Sequence, residues 1–401
     1  MRLRHDVPLQ GLRVIDAGTM IAGPLAGCLL ADFGADVIKI EHPRYGDPMR
    51  QWAPIKNEVS LWWKVTARNK RLITLDLGHP RGQDIFRQLV GQADILIENF
   101  RPGTMEKWGL GYEVLSQINP QLVMVRVSGY GQGGPYRDRP GYGTIAEAIT
   151  GVPSFTGFPD KPPTLSAWPL ADSVAAVFAA LGAMFAIHYR DVHKGEGQVV
   201  DVSLYEPLFR LVESQVIGFD QLGIVKQRMG NRMAEDSPRN TYETADGEWI
   251  AISASSQRTF ERLARAIGRP ELVDDPRFKD NPSRVDHADE LDEVLSAWFS
   301  PRSFAEAMTI LEEHDVVAGP IYDVRRIFAD PHFAAREDIV AIEDPDLGII
   351  RMQNVAPRLS KTPGQVVHGG LSLGHHNREV YAELLSLSEG ELKGLQQQGV
   401  I

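Results

Sequence analysis

The sequence contains a single cysteine, Cys28, among 401 residues. No intrachain disulfide can form, and no cysteine set for a zinc centre exists. Cys28 lies beside Ala26, Leu29 and Leu30, so it is expected to be a core thiol. Cations are also in deficit: 42 Lys and Arg face 53 Asp and Glu, a net charge of −11. That balance argues against nucleic acid as a partner, because phosphate backbones select basic surfaces. A small phosphorylated ligand needs only a local basic pocket and stays open. The first residues, "MRLRHDVPLQGLRVID", lack the apolar core of a signal peptide. The longest apolar run, Val174–Ile187, falls short of the roughly 20 residues of a membrane span. It predicts a fully buried helix, no membrane partner and a cytoplasmic location. There is no GxxxxGK[ST] loop and no HExxH pair. His375 and His376 are adjacent and would point apart on a helix or strand, so no metal site is expected.

With 43% hydrophobic and 24% charged residues, the chain has ample material for a core. "LRVIDAG" (12–18) predicts a strand, "GPLAGCLLADFG" (23–34) a helix, and "ADVIKIEHP" (35–43) a second strand. "RLITLDL" (71–77), "DILIENF" (94–100) and "LVMVRVSGYG" (122–131) continue the strand series. "PRGQDIFRQLVGQA" (80–93) has a helical period through Ile85, Leu89 and Val90. Strands alternating with helices indicate an α/β fold with a mainly parallel sheet. "GYGQGGPYRDRPGYG" (129–143) is a loop. The polar stretch 227–240 reads as a linker, and "TYETADGEWIAISA" (241–254) as a hairpin turning at Asp246–Gly247. The Arg- and Glu-rich helices that follow, up to about residue 318, predict a second, smaller domain.

In open α/β sheets ligands bind beyond the carboxyl ends of the strands. "DAGTMIAGPLAG" (16–27) brings Gly18, Gly23 and Gly27 to a helix start, without the G-x-G-x-x-G spacing of a dinucleotide site. Glu41 still mimics a ribose-binding acid. In "ENFRPG" (98–103), Asn99 offers hydrogen bonds, Phe100 a stacking face, and Arg101 with Lys107 positive charge, a mixture suited to a base and phosphates. Asp172 precedes the apolar run of "AWPLADSVAAVFAALGAMFAIHYR". Its position reads first as a helix N-cap, a role compatible with that of a nucleophile, since a carboxylate can attack an activated acyl group.

Taken together, these segments, with "NKRLITLDL", "GEGQVVDVSLYE" and "YETADGEWIAI", resemble the class III CoA-transferase family across essentially the whole chain. That family includes formyl-CoA transferase, carnitine CoA-transferase and the methylacyl-CoA racemases. The resemblance implies a Rossmann-like large domain at 1–224 and 331–401, a small α+β domain inserted at 225–330 and an interlocked homodimer. It places the catalytic nucleophile at Asp172, working through mixed-anhydride and aspartyl-CoA thioester intermediates. Acyl-CoA and a carboxylic acid are the implied partners, and no cofactor beyond coenzyme A and no metal is implied. CoA contacts carry over to His42, Arg44, Leu75, Asn99, Phe100, Arg101, Lys107 and Tyr142. The backbone at Met20, Ile21 and Ala22 would lie near the reacting carbonyl.

Departures narrow the reading. Ile21 stands where formyl-CoA transferases have glutamine, which points away from oxalate and formate and towards dicarboxylic partners such as succinyl-CoA. No histidine follows "PGYG", where racemases place one. Gly143 occupies a position where many transferases carry Asp. "SASSQ" (253–257) lacks the glycines of the family's lid loop. A 2-methylacyl-CoA isomerase, an intramolecular CoA-transferase and a non-catalytic CoA-binding chain are the alternatives.

Overall fold

Apolar, β-branched runs bounded by turns form the first strands: β1 (Arg13–Asp16), β2 (Asp36–Glu41) and β3 (Arg71–Thr74). The helix α1 (Ala22–Asp32) links β1 to β2, and α2 (Pro80–Val90) links β3 to β4 (Ile95–Glu98). Then come β5 (Val123–Ser128), α3 (Gly143–Ile149), α4 (Leu170–His193) and β6 (Val199–Ser203). This computed structural model describes residues 7–401. Residues 1–6, the start of the stretch read for a signal peptide, lie outside them.

All six strands pair in parallel in the order β3-β2-β1-β4-β5-β6. Strand order reverses between β1 and β4, so a crevice opens at their carboxyl ends. The main core includes Ile15, Ile38, Leu96 and Met124 from the sheet and Phe86 and Leu89 from α2. Chain-terminal residues Val380, Tyr381, Val400 and Ile401 complete it.

The exposed edge of β3 is covered by side chains from the C-terminal segment. His376 Nδ1 accepts from the Leu72 amide (2.9 Å) and Asn377 Oδ1 from the Thr74 amide (2.8 Å). The His375 and His376 rings do not point apart; their centroids are 4.7 Å apart. They sit in a turn, where alternation along a strand or helix does not apply. Burial, aided by His375, His368 and Arg71, pushes His376 down to about 4. The folded state therefore binds its proton less readily than the unfolded chain, whose histidine titrates near 6.5. Stability from this group is full above pH ~6.5 and is lost as pH falls towards 4. Melting temperature is expected to drop through that window, and to drop less in His376→Asn; equal pH profiles would contradict this.

The chain divides into two units. One comprises residues through Gly151, Ser166–Glu213 and His332–Ile401; the other is Val152–Leu165 with Ser214–Pro331. The smaller unit thus begins at Ser214, before the boundary at 225 that the resemblance implied, and takes in an upstream segment. That segment joins it because Gly157 bridges to Gly230 and Arg228 donates to the Ser154 and Phe158 carbonyls. Within it, β7 (Arg239–Glu243), β8 (Trp249–Ser253) and β9 (Ala318–Pro320) form an antiparallel sheet. Gly247 has φ 77° in the β7–β8 turn, a conformation glycine adopts freely. Helices around Phe260, Phe278 and Phe299 cover the sheet.

Helix α4 corrects two expectations. It has 24 residues and is long and apolar enough, by length and composition, to cross a membrane. It is not fully buried. Ala171, Ala175, Ala179, Ala183 and Ala186 form a buried stripe that packs on α1 and the sheet, the seating of a core helix. The opposite face exposes Val177, Leu181, Phe185, Tyr189 and Val192. All of these are apolar, so composition could not distinguish the covered face from the open one.

Candidate functional site

Asp172 occupies the third position of α4, and Pro169 occupies the N-cap. The helix begins two residues ahead of Asp172, so its carboxylate is not the cap that the sequence pattern allowed. It lies partly buried, and burial pushes its pKa up to about 6 against one opposing hydrogen bond from its own amide. At pH 7 about nine-tenths of it is ionised, with little water to stabilise the charge. Such a carboxylate is a better nucleophile than a solvated one.

Gly143, the first residue of α3, closes on this group. A Cβ at position 143 would lie 1.8 Å from Asp172 Oδ2 and 2.8 Å from its Cγ. Only a glycine leaves room for the observed carboxylate. Tyr142, the residue before it, is 77% exposed.

The loop after β1 is fixed bond by bond. The Gly18 amide donates to Asp16 Oδ1 (3.1 Å) and the Thr19 amide to Asn99 Oδ1 (2.7 Å). Asn99 Nδ2 returns a bond to the Thr19 carbonyl (2.9 Å). Both ends of the Asn99 amide are therefore engaged across the crevice, where the sequence suggested a group free for a nucleotide. The Met20 amide donates to Asp47 Oδ1 (3.1 Å), and Met20 takes a left-handed backbone with φ 65°. Ile21 precedes α1 and Ala22 opens it, with their N–H groups at the positive end of the helix. The Gly18 Cα and Gly23 approach so closely that a Cβ on Gly18 would sit 3.1 Å from the Gly23 Cα.

Beneath this loop lies a charged layer that motif reading missed. Lys39, fully buried, donates to the Gly18 carbonyl and pairs with Asp47 at 3.2 Å. Lys70 pairs with Asp16 at 2.8 Å and donates to the Pro24 carbonyl. A lysine inside the apolar strand "DVIKIE" was the available signal. Glu41, read as a ribose ligand, is 3% exposed and accepts two bonds from Arg50 (2.6 and 2.7 Å).

The other candidates gather at the carboxyl ends of β2, β3 and β4. His42 stacks on Tyr45 (4.6 Å) and accepts from the Arg44 amide (3.1 Å). Arg44 is exposed, 5.8 Å from the Tyr45 ring. Leu75 is 2% exposed within the main core. Phe100 packs edge-on against Trp108 (5.1 Å), while Arg101 and Lys107 are exposed. Arg137, from the 129–143 loop, lies beside Gly103 of "ENFRPG". In the smaller unit, residues 253–257 are held by the buried Arg284, which donates to the Ser255 carbonyl and Gln257 Oε1. Among the described residues, no group of three or more His, Cys, Asp or Glu side chains is placed to hold a metal ion.

Comparison with known proteins agrees with this architecture. The model of "CoA-transferase family III" matches residues 9–377. A succinyl-CoA–D-citramalate CoA-transferase of Chloroflexus aurantiacus is 49% identical, over 99% of both chains. The beta subunit of a succinyl-CoA–L-malate CoA-transferase from the same organism is 42% identical over 98% of both. A CaiB/BaiF family protein from Brucella suis, solved by crystallography, has a TM-score of 0.84 and 32% identity; the match covers 95% of this chain and 100% of that one. This chain belongs to CoA-transferase family III.

Proposed function

We propose that the protein moves coenzyme A from a dicarboxylic acyl-CoA, such as succinyl-CoA, to a C4–C6 dicarboxylic acid through Asp172. The carrying observation is the Asp172 carboxylate, partly buried, close against Gly143 and raised to about 6. The substrate class rests on similarity to enzymes named for succinyl-CoA with D-citramalate, L-malate and glutarate.

The chemistry follows from exchange of activated carboxyls. An Asp172 oxygen attacks the thioester carbonyl; the C–S bond breaks and CoA thiolate leaves, giving a mixed anhydride. The thiolate attacks the aspartyl carbonyl and releases the donor acid, leaving an aspartyl-CoA thioester. The acceptor carboxylate displaces CoA thiolate to form a second anhydride. The thiolate then attacks the acceptor carbonyl, which forms the new acyl-CoA and frees Asp172. No step changes oxidation state or calls for a metal. Each intermediate is open to hydrolysis, so the apolar surroundings serve to exclude water. The Ile21 and Ala22 amides are the oxyanion donors in this reading; the Met20 amide is already used by Asp47. His42, Arg44, Phe100, Arg101, Lys107 and Tyr142 contact CoA with their side chains, while Leu75 and Asn99 shape its site from beneath.

The active form is a homodimer in this reading, and a cytoplasmic location belongs to it. The open apolar face of α4 supports an apolar partner surface. Phe185→Glu is expected to shift the molecular mass seen by sedimentation towards the monomer; an unchanged dimer mass would remove this face from the interface. For the reaction, incubation with succinyl-CoA and trapping with hydroxylamine should place the modification on Asp172. Undiminished transfer by Asp172→Ala would refute the mechanism.

A further inference from the structure

The chemistry above leaves one buried acid near the nucleophile without a role. Glu147 lies in α3 and is 3% exposed. A carboxylate removed from water is costly unless hydrogen bonds replace the lost hydration. Its Oε1 accepts two, from the Ser166 amide and the Ser166 hydroxyl, both at 2.8 Å. Neither donor is a cation. Ser166 stands three residues before Pro169, in the stretch that leads directly into α4. Gly143, against which Asp172 rests, opens the same helix. Residues 143 and 147 are four apart and share one helix face. One side of α3 therefore touches the nucleophile and also anchors the chain that delivers it.

We propose that Glu147 is a positioning residue for Asp172: by fixing Ser166 on α3 it sets the entry of α4 and holds the Asp172 carboxylate against Gly143. The proposal rests on the reading of Asp172 as the nucleophile. When the anchor is released, the first turn of α4 is free to shift and the carboxylate regains water. Acylation slows, while the CoA contacts at the strand ends are untouched.

Single-turnover acylation with succinyl-CoA, followed through the hydroxylamine-trapped product at Asp172, tests this. Glu147→Ala removes the acceptor and is expected to slow acylation about 10²-fold. The KM for succinyl-CoA should change less than about threefold, because the loss is one of geometry. Its pH–rate midpoint should fall below that of the wild type as the carboxylate is rehydrated. Glu147→Gln keeps an oxygen for both Ser166 donors and is expected to recover most of the rate. Should Glu147→Ala not fold, Ser166→Ala, which deletes one donor, decides by an intermediate slowing with the same direction of pH shift. Wild-type acylation in Glu147→Ala or Ser166→Ala, or a loss carried entirely by KM, overturns the positioning role. Absence of any Asp172 product in the wild type overturns the nucleophile itself, so the two failures are distinct.

Discussion

Asp172→Asn is expected to lose at least ~10³-fold in CoA transfer while becoming more stable than the wild type above pH 6. The two effects have one cause. Asn has almost the same shape but no oxygen able to form the anhydride. It also carries no charge, and the charge is what burial opposes. The Asp172 pKa is raised to about 6 from an ordinary 3.8, so the folded state holds its proton more tightly than the unfolded chain does. Folding is then favoured at low pH, and the advantage is lost as pH rises from 3.8 to 6. Above 6 the full penalty applies, up to about 3 kcal/mol from the size of the shift. Asn escapes that penalty. Denaturation at pH 7.5 should show the variant as the more stable, with the difference vanishing near pH 4. In the wild type, kcat/KM at saturating acceptor should rise with pH and half-saturate near 6, since the ionised carboxylate is the attacking form. Equal stability at pH 7.5 would mean that the acid is better solvated than its position indicates.

Such a trade is what a functional site looks like when it departs from the rules that stabilise the rest of the fold. It also explains which parts of the molecule the sequence could disclose. The parallel sheet was legible because its strands are apolar runs of the right length, and α2 because Ile85, Leu89 and Val90 keep a helical period. The crevice at the end of β1 was legible from topology. What occupies that crevice was not. Asn99 bonds Thr19 from 80 positions away, and no local pattern states that its amide will be used internally. Lys39 was visible as a misplaced cation in a buried strand, yet its partners Asp47 and Gly18 come from different loops. The start of α4 was misjudged because Pro169, Leu170 and Ala171 belong to the helix entry but not to the apolar run. The family resemblance supplied Asp172 as the proposed nucleophile; the structure supplied the reason that Gly143 beside it is so small.

Gly143→Ala makes that last point testable, with an expected loss of about 10²-fold or more in transfer. Nothing about the backbone opposes the substitution. Gly143 is not among the residues with positive φ, and alanine favours a helix over glycine by roughly 1 kcal/mol. On propensity alone α3 should gain stability. The obstacle is the methyl group, which would stand 1.8 Å from Asp172 Oδ2. The carboxylate must retreat by about 1.5 Å to restore ordinary van der Waals contact. Acylation requires the attacking oxygen within about 3–3.5 Å of the thioester carbonyl, in line with it, and a displacement of that size removes the alignment. The signature is a fall in kcat with binding of CoA retained, in a variant that folds normally. An Asp at this position would meet the same carboxylate with added charge, so Gly143→Asp should be the more damaging change. Transfer by Gly143→Ala at the wild-type rate would show that Asp172 attacks from a different rotamer, and that the close seat against α3 is not the reactive one.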